Sequence, residues 1–251
     1  EDVVHEHGFD AIELKNLLGS VAFRKDIIDR ISRPAEKVWT WGRYKRQLVD
    51  EQRVVEGVKF WRAHRETLSR AEEVYGVAPE VVVAIVGIET RYGRITGSFP
   101  VLESLMTLGF DYPARAGFFR KELTEFLLLA REEGKDPTAL NGSYAGAMGY
   151  GQFISSSYRH YAVDFDGDGV RDIWHNPVDA IGSIANYFHQ HRWQGGLPRA
   201  LRVNLSRPIA GLSTALDQTE RVSDYLALGV IAPSLPPDLT ARLYEVEGEN
   251  G

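Results

Sequence analysis

The sequence predicts a mainly α-helical protein (α+β overall) with a small mixed α/β region at its C-terminal end. Three observations predict it. Apolar residues recur mostly at spacings of three and four from Gln47 to Tyr75, and a second apolar stripe runs from Ala116 to Ala130, the period of a helix that buries one face. Glycine, proline and capping acids punctuate these stretches at helix-length intervals. After Gly195-Gly196 the texture changes, and Pro198, Pro208, Pro233, Pro236 and Pro237 interrupt short segments.

Taken in order, Asp10 offers an N-cap carboxylate with Glu13 three residues on, so a short helix should run to Gly19. Lys25 to Ile31 suggests another, broken at Pro34. Trp39, Trp41 and Tyr44 cluster before a long helical stretch from Gln47 to Tyr75, with Val54, Val55, Val58, Trp61, Leu68 and Ala71 as its apolar positions and Gly76 as its stop. Pro79 and Glu80 suit the first turn of the next helix, which reads as buried from Val81 to Ile88. Asp111-Tyr-Pro113 opens a helix whose stripe is Ala116, Phe119, Leu123, Phe126, Leu127 and Ala130. Pro177 to Trp193 predicts a further helix. In the last region, Leu201–Leu205 and Arg242–Val246 read as strands and Asp217–Leu228 as a helix. The expected organisation is residues 1–76 as an N-terminal helical region, 77–194 as a catalytic core, and 195–251 as the mixed region.

Composition excludes several classes. The formal net charge of −6 argues against a general nucleic-acid binder. With no cysteine, disulfides, thiol catalysis and cysteine metal sites are excluded together. No apolar run is long enough to span a bilayer. The chain opens Glu-Asp-Val-Val, without an initiator Met or a signal peptide, and reads as a mature or trimmed form.

Three constellations carry candidate chemistry. The first is Glu89, the single carboxylate that ends the apolar run. At such an edge its charged form is disfavoured, and a carboxyl that stays protonated near neutral pH can act as a general acid. The plain alternative is a structural ion pair with Arg91 or Arg94. The second is Gly142-Ser-Tyr-Ala-Gly-Ala-Met-Gly-Tyr-Gly-Gln-Phe153. Its glycines let backbone approach a ligand, Ser143 and Gln152 supply neutral hydrogen-bonding groups, and Tyr144, Tyr150 and Phe153 supply flat apolar faces, a mixture suited to carbohydrate. The third is Asp164-Phe-Asp-Gly-Asp-Gly-Val-Arg-Asp172. Asp164, Asp166 and Asp168 fall on positions one, three and five of an EF-hand-type loop, the Val170 carbonyl on position seven and Asp172 on position nine. His175 stands where the closing Glu belongs, which leaves Asp179 to swing in from the next helix. A structural calcium ion is the expected occupant, and no organic cofactor is expected.

Together these blocks resemble the membrane-bound lytic transglycosylase B family, bacterial peptidoglycan-cleaving enzymes with a lysozyme-like core. The resemblance rests on Val86-Gly-Ile-Glu-Thr-Arg-Tyr-Gly93, Phe110-Asp-Tyr-Pro113, the Gly142–Phe153 block, and Asp164–Gly169 followed by Pro177–Ser183, with Trp41-Gly-Arg-Tyr44 upstream. It implies a lysozyme-like core over 77–194 with Glu89 as the lone acid/base. It also implies Tyr44, Ser143, Gln152 and Tyr187 along the substrate cleft, and a calcium loop built from Asp164, Asp166, Asp168, Val170 and Asp179. Phe118 occupies a position where the family often has tyrosine. The family's later Tyr-Asn-x-Ser segment is not found, so the mixed region reads as truncated.

The implied reaction is cleavage of the β-1,4 bond between N-acetylmuramic acid and N-acetylglucosamine with a 1,6-anhydro product. The implied partners are peptidoglycan strands and cell-wall synthesis proteins, in the periplasm of a Gram-negative bacterium, either soluble or anchored to the outer membrane. A non-catalytic peptidoglycan scaffold and a hydrolytic muramidase are the alternatives.

Overall fold

The computed structural model describes residues 2–33, 40–208, 219–232 and 235–244. Pro34, Trp39, Asp217, Pro233 and Glu245–Val246 lie outside the described residues. The described chain divides into two compact units: residues 1–39 with 46–195, and residues 40–45 with 196–251. The N-terminal helices therefore share a unit with the core that follows residue 76.

In the first unit, α1 (Asp2–His7), α2 (Ala11–Gly19) and α3 (Lys25–Ile31) lead to α4 (Trp41–Leu48), whose start lies in the second unit. Asp10 caps α2 as its sequence predicts, accepting from the amides of Ile12 and Glu13 at 2.8 Å each. The long stretch expected from Gln47 to Tyr75 is two helices, α5 (Glu51–Ala63) and α6 (Arg65–Tyr75), broken at His64. There the imidazole packs on Phe60, 4.5 Å between ring centroids. The predicted stripe on α5 is also corrected: Val54, Val55 and Val58 are exposed, and Arg53, Gly57 and Phe60 are buried. The buried side is fixed by Tyr92, whose hydroxyl donates to the Arg53 carbonyl at 2.9 Å and lies over Gly57.

α7 (Pro79–Thr90) buries Val82, Val83, Val86 and Gly87. It is not buried all round as expected: Ala84, Ile88 and Glu89 are exposed. Gly87 permits the close approach of Tyr92, because a Cβ there would meet the Tyr92 hydroxyl oxygen at 2.5 Å. α8 (Val101–Asp111), which the sequence did not predict, packs against α9 (Ala116–Glu132). Asp111 closes α8, a 3-10 turn follows at Pro113–Arg115, and α9 begins at Ala116. The stripe predicted for α9 is buried from Phe119 to Ala130. α10 (Ser155–Tyr161) receives the buried Glu122 carboxylate at its start, where it accepts from the Ser156 amide and hydroxyl at 2.9 and 2.7 Å. α11 (Pro177–Gln190) is capped by Asn176, with Asp179–Asn186 buried.

Strands are short. β1 (Phe99–Pro100) pairs antiparallel with β2 (Asn141–Gly142), which starts the glycine-rich loop. In the second unit, β3 (Asn204–Leu205) pairs with β5 (Val230–Ile231), and β4 (Glu220–Arg221) with β6 (Thr240–Ala241). The strand expected at Leu201–Leu205 thus shrinks to two residues, and Arg242–Tyr244 follows a strand instead of forming one. α12 (Val222–Leu228) begins after Arg221 and stops at Gly229. No helix among the described residues is long and apolar enough to cross a membrane.

Candidate active site

Glu89 lies in the last turn of α7. The ion-pair alternative does not hold, because both arginines are engaged elsewhere. Arg91 pairs with Asp50 at 3.4 Å and Arg94 pairs with Glu56. Among the described residues the Glu89 side chain makes no hydrogen bond or ion pair. It is accessible to solvent, yet surrounding protein strips away enough water to push its carboxyl above the ordinary carboxylate range. Its place at a helix C-terminus acts in the same direction, since the partial negative charge there disfavours a carboxylate.

The turn after Glu89 is unusual. Arg91 and Tyr92 are successive non-glycine residues with φ of 49° and 61°. Such backbone persists only where its surroundings hold it. Thr90, 1% exposed, supplies part of that hold. Its hydroxyl lies 3.0 Å from the Tyr150 carbonyl and 3.1 Å from the Val86 carbonyl, and accepts from the Gly93 amide at 3.0 Å. Gly93 (φ 82°) lies against the Tyr150 ring, where a Cβ would overlap it. The end of α7 and the glycine-rich loop are thereby bound together.

Within that loop, Ser143 organises a turn. Its oxygen accepts from the amides of Ala145 and Ala147 at 3.3 and 3.0 Å, leaving its O–H hydrogen as a donor. Gln152 (φ 49°) donates its amide nitrogen to the carbonyls of Thr96 and Gly149 at 3.1 and 3.0 Å, leaving its side-chain oxygen as an acceptor. Phe153 is buried and meets the half-buried Tyr187 edge-on, 6.0 Å between centroids. Tyr187 stacks face to face on His191 at 4.1 Å. The structure thus links Glu89, the loop carrying Ser143 and Gln152, and Tyr187 through Thr90, Tyr150 and Phe153. Tyr44 belongs to the second unit, where it is half-buried with its ring stacked on exposed Trp41 at 6.2 Å. A polar cavity of about 560 Å³ in the second unit, lined by Glu220, Asp224 and Asp238 among others, contains none of the predicted site residues.

The acidic loop closes on the first turn of α11. Carboxylate oxygens of Asp164, Asp166 and Asp179 lie within 4.8 Å of one another. Asp179 is fully buried; one oxygen accepts from the amides of Phe165 and Asp166 at 2.8 and 3.4 Å, the other from Asp172 at 2.8 Å. Asp164 accepts from Gly167, Asp168 and Gly169 at 2.7, 3.1 and 2.8 Å, and these amides hold its carboxyl below the usual range. Burial pushes Asp179 up, with its amide donors opposing and the Asp166 charge adding. Asp168 turns one oxygen to the Val170 amide at 2.8 Å and stands outside the three-carboxylate group, and Val170 is exposed. Asn176, unnoticed in sequence, holds Asp166 at 2.7 Å while capping α11. No basic side chain among the described residues pairs with the three acids. An all-oxygen cluster with uncompensated charge fits a hard divalent cation.

Comparison with known proteins identifies the family. The transglycosylase SLT domain family matches residues 1–251. The chain is 44% identical over 246 residues to membrane-bound lytic murein transglycosylase B of Escherichia coli K12, covering 94% of this chain and 67% of that protein. The soluble lytic transglycosylase SltB1 from Pseudomonas aeruginosa superposes with a TM-score of 0.94 at 46% identity, over 100% of this chain and 84% of that one. The E. coli lytic transglycosylase Slt35, solved in complex with calcium, gives 0.88 at 41% identity, over 98% and 78%. The chain belongs to the transglycosylase SLT domain family, as a lytic transglycosylase of peptidoglycan with a lysozyme-like, mainly helical core.

Proposed function

We propose that Glu89 carries both proton transfers of the lytic transglycosylase reaction. The observation that supports it is a carboxyl that ends an apolar helix with no hydrogen-bond or ion-pair partner among the described residues, its charge disfavoured by desolvation. Hydrolytic glycosidases ordinarily use two carboxylates, one placed to activate water or attack the sugar. One carboxyl suffices when the nucleophile belongs to the substrate.

Protonated Glu89 donates to the glycosidic oxygen between N-acetylmuramic acid and N-acetylglucosamine. The C1–O bond breaks, and the N-acetylglucosamine leaves with a free 4-hydroxyl. The muramoyl acetamido oxygen stabilises the cation at C1, as in substrate-assisted glycosidases. Ionised Glu89 then takes the proton of the muramoyl C6 hydroxyl as its oxygen bonds to C1. The product is a 1,6-anhydro sugar, Glu89 is again protonated, and no water is consumed.

In this reading the Ser143 hydroxyl donates to a sugar carbonyl or hydroxyl oxygen and the Gln152 side-chain oxygen accepts from an amide or hydroxyl. Tyr187 presents an aromatic face to a C–H surface of the glycan. Asp164, Asp166 and Asp179, with Asp168 and the Val170 carbonyl nearby in the same loop, would hold a structural calcium ion in an EF-hand-like site. When bound there, such an ion would neutralise the repulsion between these carboxylates. A peptidoglycan substrate supports a periplasmic location for the enzyme. Mass spectrometry of digested peptidoglycan tests the reaction. Anhydromuramoyl products are expected; products heavier by one water would replace this reading with a muramidase.

A further inference from the structure

Glu89 raises a physical question: what fixes a carboxyl that bonds to nothing? Its position is set entirely by the last turn of α7, and helix ends lack the hydrogen bonds that hold helix interiors. The following turn passes through two left-handed non-glycine residues. Three side chains at and just after the helix end help to hold this turn. Arg91 reaches Asp50 at 3.4 Å, a long and half-exposed pair. Tyr92 reaches the Arg53 carbonyl at 2.9 Å, two residues beyond the helix end. Thr90 is the neighbour of Glu89, is buried, and joins groups from two separate segments.

We infer that Thr90 is the positioning residue for Glu89: its hydroxyl binds the end of α7 to the Tyr150 carbonyl and the Gly93 amide and so fixes where the Glu89 carboxyl points. The inference rests on the assignment of Glu89 as the acid. A plainer account exists, since threonine in a helix often satisfies itself on the carbonyl four residues back, here Val86 at 3.1 Å. That account leaves two observations unused. The Tyr150 carbonyl, 60 residues away, lies nearer at 3.0 Å, and the Gly93 amide donates into the same oxygen. The β-branch adds its part, because two heavy atoms on Cβ restrict χ1 and aim the hydroxyl. Tyr150 continues the chain of contacts, its amide donating to the Ile173 carbonyl at 3.0 Å, so the anchor to which Thr90 binds is itself held.

The test uses the full chain and soluble, uncross-linked peptidoglycan strands, with kcat and KM measured across pH for the parent, T90V, T90A, T90S and E89Q. Each protein is assayed well below its own unfolding temperature. T90V keeps the shape and removes the hydroxyl; T90A does so while leaving room for water, and is read in place of T90V should that variant fail to fold. Removing the hydroxyl is expected to lower kcat about 10²-fold with KM nearly unchanged, the signature of a misplaced catalytic group. It is also expected to displace the pH profile of kcat. T90S is expected to recover both. Parent-like kcat and pH profile in T90V or T90A would overturn the inference. So would a T90S as impaired as T90V, which would assign the effect to methyl packing. An active E89Q would instead overturn the Glu89 assignment, whatever Thr90 does.

Discussion

Glu89 and the Asp164–Asp179 loop use the same functional group for opposite ends. Glu89 receives no backbone amide and no cation, and desolvation raises its carboxyl. Asp164 receives three amides, which hold its carboxyl ionised to lower pH. Asp179 stands between them, raised by burial yet bonded to three amides. Hydrogen-bond donors favour a permanent charge, and their absence favours a proton that can be given away. The backbone around each carboxylate therefore separates a group suited to give up a proton from one suited to hold a cation.

The sharpest break in this comparison is E89Q. Gln keeps the size and removes the proton. A positioned general acid contributes about 10²–10⁴-fold, and the proposed mechanism uses Glu89 in both steps, so release of anhydromuramoyl product should fall by about 10⁴-fold. A residual rate within tenfold of the parent would mean that another group donates the proton.

The acidic loop predicts a different readout. A cation that binds only the folded chain stabilises it by about 2.7 kcal/mol at one hundred times its dissociation constant. Calcium should therefore raise the unfolding temperature and a chelator should lower it. D166N should remove most of that response, because it takes one carboxylate charge from the three-acid group while keeping the side chain's size and one oxygen to accept from Asn176. Calorimetry with and without calcium checks this. Equal curves for the parent in both conditions would remove the loop from the list of cation sites.

What was legible in the sequence follows the same division between local and distant causes. The acidic loop could be read because Asp164, Asp166 and their turn lie within a few residues, and Asp179 follows on the first turn of the next helix. α7 could be read because Pro79 and Glu80 open it and the apolar run fills it. α8 could not, since its buried residues acquire their meaning only from α3 and α9 packed against it. The helical period of α5 fits two faces, and Tyr92 decides between them by lying across Gly57. The break at His64 has no glycine or proline to announce it. Thr90 was invisible for the plainest reason: one hydroxyl carries no local signal when its partner is 60 residues away.

The smallest expected effect tests what an unpartnered acid does to the fold. Glu89 has a folded-state pKa above its unfolded value. Between those two values the native chain holds more protons than the unfolded chain, so stability falls as pH rises through that window and then levels off. Gln has no proton to lose and avoids this. E89Q should thus unfold at a higher temperature than the parent at pH 7, and the difference should vanish below the ordinary glutamate pKa of about 4.3. Any pH dependence of the calcium loop is common to both proteins and cancels in the comparison. Equal stability at pH 7 would show that the end of α7 solvates the carboxylate adequately, and the source of its acidity would have to be sought in the bound substrate. A more stable, inactive E89Q would show the reverse: the apolar helix tolerates a poorly solvated carboxylate because that same poor solvation keeps the proton available for the glycosidic oxygen.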